Sequence, residues 1–276
     1  MTTAEPEDEV AFRRLTRRIS ERAGVPLQAY KDRCLRRRIM VRMRASGVHT
    51  WDGYRQLLDR DPAEIERLLD AITINVTRFY RNPEAWDRLA ADHLPALLVS
   101  RRGLIGAWSA GCASGEEPYT LAMVLAEQAE RRPGSVDLAR CRIDATDLDK
   151  GSLERARAAS YLPAAFEEMP QRLVTRFTTL EGDRRQVSER VRRLVTLHRQ
   201  DLIEDPPPRP PYDLVLCRNV VIYFDRPTQE RLFDRFAQSL SPGGLLVLGK
   251  VETLLGPARD RLELLDPRER IYRRSP

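Results

Sequence analysis

Two periodicities divide the chain. Over residues 8–72 apolar positions recur at helical spacing and the alternation typical of strands is nearly absent. Val10, Leu15 and Ile19 mark one helix, ended by Gly24 and Pro26. "LQAYKDRCLRRRIMVRMRASG" predicts a second over 27–47, ended by Gly47. "TWDGYRQLLDRD" and "PAEIERLLDAIT" predict a third and a fourth, the last with Pro62 in its first turn, where a missing N–H costs nothing. From residue 103 the pattern becomes strand and helix in turn. "LIGAWSA", "CRIDATDL", "VTLHRQDL", "YDLVLCRN" and "GGLLVLGK" are short apolar runs, and "GEEPYTLAMVLAEQAERR", "DKGSLERARAA" and "TQERLFDRFAQSL" are helical stretches among them. Apolar strands alternating with helices predict a parallel sheet covered on both faces. "LELLD" and "RERIYRR" add two short strands, expected as an antiparallel pair at one edge. "RFTTLEGDRRQVSERV" breaks the alternation and, with Gly182-Asp183 at its middle, predicts an inserted hairpin. The expected organisation is an all-α domain over 1–74 and an α/β domain over 75–276, with a small β-subdomain at about 161–192.

Composition narrows the function classes. The chain is 42% hydrophobic and 32% charged, which suits a globular protein and not a disordered one. Its net charge of +6, carried mainly by arginine, favours an acidic partner. In the second helix Leu35, Ile39 and Met43 form one stripe and Arg33, Arg37 and Arg44 lie opposite, with Arg36 and Arg38 flanking the apolar side. Two readings stand for the basic stripe: a solvated surface, or a docking face for an acidic partner. Cys34, Cys112, Cys141 and Cys217 are widely separated, with no Cys-x-x-Cys, so neither a zinc site nor a disulfide framework is expected. The acidic, polar N-terminus does not read as a signal peptide, and no apolar run approaches the roughly 20 residues of a membrane helix.

The chemistry is expected beyond the carboxyl ends of the strands. After the first strand, "AGCASGEE" places small residues at Ala110 and Gly111 and carboxylates at Glu116 and Glu117. The glycine spacing is not the dinucleotide fingerprint, and two carboxylates would repel a pyrophosphate. A ligand bearing a sulfonium and an ammonium group fits better. After the second strand, Asp147 is placed to accept both hydroxyls of a ribose, while Asp149 reads as a helix cap. After the third, Asp201 and Leu202 lie where an adenine would be edged, and after the fourth come Arg218 and Asn219. With no P-loop and no phosphate-gripping lysine, these ends indicate S-adenosylmethionine. "PPY" at 210–212 precedes its strand and follows Arg209, so it is not the Pro-Pro-Tyr motif of amino-methyltransferases.

"ITINVTRFYRNP", "WSAGCASGEEPYTLAM", "ATDLDKGSLERARAASY" and "LCRNVVIYFD", in this order, resemble the motifs of the chemotaxis-receptor glutamate methyltransferases, the CheR type. The resemblance covers nearly the whole chain, including "VPLQAYKDRCLRRRIMVRM" of the family's small helical domain. It implies a class I (Rossmann-like) S-adenosylmethionine-dependent methyltransferase sheet with an inserted β-subdomain, which in some members tethers a receptor peptide. It also implies transfer of the methyl group to glutamates on chemoreceptor cytoplasmic helices, with S-adenosylhomocysteine as product. By resemblance Asn75, Thr77 and Arg81 line the methionine end of the cofactor at the domain junction, and Phe79 and Tyr80 wall the pocket. "GLLVLGKVETL" departs from the family's Gly-His-Ser-Glu, with Lys250 and Val251 in place of His and Ser.

The reaction asks for little acid–base chemistry. A glutamate of pKa ≈ 4.3 is already ionised at neutral pH, and positioning the carboxylate near the methyl group is the main task. Arg81 is the candidate for orienting the acceptor, and Tyr223 for placing a hydroxyl near it; for Tyr223 the alternative is aromatic packing under the sheet edge. The expected protein is a monomeric cytoplasmic enzyme with receptor helices as partners, no nucleic acid and no inserted membrane segment. The competing classes are an RNA methyltransferase and a catalytically silent receptor-docking module.

Overall fold

The computed structural model describes residues 7–72, 77–101, 103–132 and 137–276. Its contacts divide the chain into two units: Met1–Ile74 with Tyr223–Thr228, and Asn75–Ile222 with Gln229–Pro276.

The first unit is built from α1 (Glu7–Ala23), α2 (Asp32–Ala45), α3 (Trp51–Arg60) and α4 (Ala63–Ile72). The apolar stripes meet in its core, where Phe12, Leu15, Ile19, Leu35, Ile39, Tyr54, Leu58 and Leu68 are at most 2% exposed. The second helix starts later than its periodicity suggests. Leu27–Ala29 forms a 3₁₀ turn, and Tyr30 turns extended to bridge Phe224, their rings 4.9 Å apart. Ala29 and Lys31 then bond backbone to backbone with Asp225 and Tyr223, at 2.8 and 2.9 Å, which takes this segment out of the helix. Glu64 is buried beneath α2. Its carboxylate accepts from Arg42 (2.5 and 2.8 Å), Arg67 (2.7 Å) and the Tyr54 hydroxyl (2.8 Å). Burial alone would raise its pKa, but these donors outweigh it and hold the carboxyl below its ordinary value.

The second unit opens with a segment to which periodicity assigns no element. Pro83 starts α5 (Pro83–Arg88), a π-helical turn follows at Leu89–His93, and α6 runs over Leu94–Ser100. Each piece is too short to show a clear repeat in the sequence. The sheet comprises β1 (Ile105–Ala110), β2 (Cys141–Asp147), β6 (Val195–Arg199), β7 (Tyr212–Cys217), β8 (Leu240–Leu248), β9 (Leu262–Asp266) and β10 (Ile271–Arg274). Its order is β6-β2-β1-β7-β8-β10-β9. The first five are parallel and the last two add on antiparallel, as the tail predicts. Strands 1, 2 and 6 grow to one side and 7 and 8 to the other, so the switch point lies at β1 and β7. The helices α7 (Glu116–Arg131), α8 (Lys150–Ala158) and α11 (Arg226–Ser239) alternate with the strands. Cys112, Cys141 and Cys217 are buried and unpaired.

The insertion is larger than a hairpin. β4 (Thr178–Glu181) and β5 (Arg184–Val187) pair across Gly182, whose φ of +64° suits glycine, and β3 (Ser160–Tyr161) adds a third strand. A 3₁₀ turn at Pro163–Phe166, α9 (Gln171–Phe177) and α10 (Glu189–Arg192) complete it.

Candidate functional site

The loop after β1 is fixed to the end of β2. The N–H groups of Gly111 and Cys112 both donate to the Thr146 carbonyl, at 2.8 and 2.9 Å. Gly111 has φ +81°, and a Cβ there would lie 2.5 Å from the Val220 side chain, so the turn requires glycine. Ala110, the last residue of β1, is fully buried. Beyond it the Asp147 carboxylate accepts the N–H of Ala113 (2.8 Å) and of Asp149 (2.9 Å). Asp149 caps α8 by accepting the Gly151 N–H at 2.9 Å. The end of β6 is drawn to the same place, because the Gln200 N–H donates to the Asp147 carbonyl at 3.0 Å. There Asp201 turns one carboxylate oxygen to the Ile203 N–H (2.8 Å), while its Oδ2 is buried without a partner. Leu202 beside it is buried.

Charge gathers between β1 and β7. Ser109 donates to Glu117 (2.8 Å), and the Arg218 guanidinium stands 3.8 Å from the same carboxylate. Arg218 is 8% exposed. It donates to the Arg81 carbonyl (2.6 Å) and to Asn82 Oδ1 (3.1 Å), and it lies over the Trp86 ring at 5.4 Å. Arg81 is half-buried, close enough to influence both Glu117 and Arg218. Burial pushes the Glu117 carboxyl above its ordinary value, against Arg218 and Ser109, and pushes Arg218 below its own, against Glu117. Burial likewise raises Asp147, Asp201 and Glu252, each against hydrogen bonds from backbone N–H groups. Next along the chain, Asn219 has φ +62°, and its Oδ1 is buried without a partner.

The expected site residues divide into groups. Ala110, Gly111, Glu117, Asp147, Asp201, Leu202, Arg218 and Asn219 gather at the carboxyl ends of the parallel strands, with Arg81 among them. Asn75 lies outside the described residues, and Thr77 is half-buried. Phe79 and Tyr80 do not wall an open pocket: both are at most 2% exposed. Phe79 stacks on Phe166, and the Tyr80 N–H donates to Thr120 Oγ1. Their aromatic rings are worth more in the core, where the insertion packs on α7, than at a wet rim. Tyr223 groups with the helical unit, its carbonyl accepting the Lys31 N–H. Sequence reasoning passed over Ser109, Trp86 and Glu252. Only Glu252 carried a signal, as the retained last member of the altered Gly-Lys-Val-Glu stretch.

The donor set fits an S-adenosyl group. The partnerless acceptor of Asp201 suits an exocyclic amine. The carboxylates of Asp147 and Glu117 keep lone pairs for hydroxyl or ammonium donors, and Arg81 and Arg218 supply cations for a carboxylate. Among the described residues no cluster of His, Cys, Asp and Glu is arranged to hold a metal ion.

Comparison with known proteins agrees. The family described as "CheR methyltransferase, SAM binding domain" matches residues 75–270, and "CheR methyltransferase, all-alpha domain" matches 11–73. The chain is 35% identical to a chemotaxis protein methyltransferase of Listeria monocytogenes, over 92% of this chain and 94% of that protein. It is 35% identical to the one of Klebsiella aerogenes, over 92% and 87%, and 33% identical to the one of Escherichia coli, over 87% and 83%. The chain belongs to the CheR methyltransferase family, and its sheet unit is a class I, Rossmann-like domain that binds S-adenosylmethionine.

Proposed function

We propose that the protein methylates glutamate side chains on the cytoplasmic helices of chemoreceptors, giving glutamyl methyl esters. The observation that carries this reading is the Glu117–Arg218–Arg81 cluster at the switch point, joined by the partnerless acceptors of Asp201 and Asn219. The relatives named chemotaxis protein methyltransferases support the substrate class. When bound, S-adenosylmethionine supplies a methyl group carried on a sulfonium and leaves as S-adenosylhomocysteine. Asp147 holds the ribose, Asp201 and Leu202 edge the adenine, and Glu117 faces the ammonium. Asn75, Thr77, Arg81, Arg218 and Asn219 hold the methionine end, while Ala110 and Gly111 let it approach the backbone.

The acceptor arrives already ionised, so the protein supplies neither base nor acid to it. Arg81 orients the incoming carboxylate by charge-assisted bonds, and Tyr223 places its hydroxyl at the acceptor side. Partner choice rests on α2. Arg33, Arg37 and Arg44 are exposed along one face, with no ion pair among the described residues, and so are available to an acidic helix. Arg36 is not: it pairs with Asp8 and Glu9 and sits 3.9 Å above the Phe12 ring. The protein acts as a cytoplasmic monomer.

The test is methyl transfer from labelled S-adenosylmethionine to receptor cytoplasmic fragments and, separately, to RNA. Base-labile label on receptor glutamates is the expected result. Label on RNA, or cofactor binding without transfer to receptor, would replace the reading with one of its competitors.

A further inference from the structure

Glu252 belongs to no expected site, yet its carboxylate is tied to several backbone amides. It lies just past β8 and is 2% exposed. Its Oε2 accepts the N–H of Asn219 (2.9 Å) and of Gly249 (2.6 Å), and its Oε1 accepts the N–H of Val220 (2.9 Å). The Ile222 amide also hydrogen-bonds this carboxylate. One buried side chain thus holds the backbone of the turn that follows β7. That turn needs holding. Asn219 is in the left-handed region, which asparagine enters more readily than most residues but less freely than glycine, and its side-chain oxygen is buried without a partner. Glycine at 249 makes the approach possible, since a Cβ there would lie 2.8 Å from Glu252 and 2.9 Å from the Asn219 nitrogen.

We propose that Glu252 is a positioning residue of the cofactor site, fixing the 219–222 turn in advance so that Asn219 meets the ligand without rearrangement. The proposal rests on the reading that this turn forms part of the S-adenosylmethionine site. Lys250, between Gly249 and Glu252, pairs instead with Glu84 (3.1 Å) and Glu269 (3.5 Å), and Val251 is 71% exposed. Pre-organisation lowers the ordering cost of binding, so its loss appears in affinity as well as in turnover.

Two measurements test it. The first is binding of S-adenosylhomocysteine by calorimetry to Glu252→Gln, Asn219→Gly and the double variant. A glutamine keeps the volume but turns an NH₂ group on the amides that one of the two carboxylate oxygens accepts. Each single variant should bind roughly tenfold more weakly, and the double variant no worse than about either single one, because Glu252 acts through Asn219. Additive losses, or unchanged affinity in Glu252→Gln, overturn the proposal. The second needs no variant. In the cofactor-free wild-type protein the amides of Asn219, Val220 and Gly249 should exchange slowly with deuterium. Rapid exchange that slows only on adding S-adenosylhomocysteine would mean the ligand, not Glu252, orders the turn. Neither measurement involves the methyl acceptor, so failure here is separate from failure of the receptor assignment.

Discussion

At the residue scale the site is a set of half-buried acids, held by backbone amides at Asp147 and Asp201 and by Ser109 and Arg218 at Glu117. Asp147 is the sharpest case: its two accepted N–H bonds set its orientation and leave lone pairs for a ribose. Asp147→Ala should weaken S-adenosylhomocysteine binding about tenfold to a hundredfold, the worth of one or two hydrogen bonds to a charged group. Calorimetry on the folded variant checks this, and unchanged affinity would move the ribose elsewhere. If its hydroxyl acts on the acceptor, as proposed, Tyr223→Phe should lower turnover more than cofactor affinity. Loss of cofactor binding with turnover intact at saturation would make Tyr223 a pocket residue instead. Most of these positions were legible in the sequence, because strand ends in a parallel sheet are predictable from apolar runs alone. Phe79 and Tyr80 were not. An aromatic pair beside motif residues reads the same whether it lines a ligand or fills a core, and only the packing of the insertion on α7 distinguishes the two.

At the element scale, α2 is a helix with two occupations. Its inner stripe of Leu35, Ile39 and Met43 is buried, and Arg33, Arg37 and Arg44 on the opposite face have no ion pair among the described residues. Reversing Arg37 and Arg44 to Glu should raise the apparent KM for receptor fragments while leaving cofactor affinity alone. The difference should shrink as salt rises, since exposed charges are screened beyond a Debye length of about 8 Å at physiological ionic strength. Steady-state kinetics at two ionic strengths checks it; equal KM at low salt would make the stripe a solvated surface. The arginine stripe and the apolar stripe were both visible from 3.6-residue spacing. The helix start was not, because Tyr30 leaves the helix to pair with a segment nearly two hundred residues away, and no local pattern encodes that. The short helices over 83–100 escaped for the opposite reason, being too brief for a period to show.

At the scale of the whole molecule, two families of buried carboxylates respond to pH in opposite senses. Glu64 and Asp144 are both buried, which alone would raise them, but their donors win. Those of Asp144 are Arg209, His198 and Tyr212, and both carboxyls lie below their ordinary values. Their stabilisation is complete above the unfolded carboxylate pKa of about 4 and is lost as pH falls through the lower folded value. Glu117, Asp147 and Glu252 are raised by burial, so each favours the folded state at low pH and loses that contribution as pH rises through its folded value. A ligand that pairs with the ionised forms of Glu117 and Asp147 offsets this loss. The gain in Tm on adding S-adenosylmethionine should therefore be larger near neutral pH than at about pH 5, as scanning calorimetry at the two pH values would reveal; equal gains would mean that these carboxylates are not ligand contacts. The segment Tyr223–Thr228, which groups with the helical unit although it lies far along the chain, has one more consequence. The polypeptide passes between the units three times, so the helical unit cannot be removed as a simple N-terminal tail. A fragment beginning at residue 75 would carry Phe224, only 5% exposed in the whole protein, and the backbone groups of Tyr223 and Asp225 without the partners that Ala29, Tyr30 and Lys31 give them. Such a fragment should melt below the full chain and bind a hydrophobic dye that the full chain does not, and a fragment as stable as the parent would show that this stretch refolds onto the sheet unit alone.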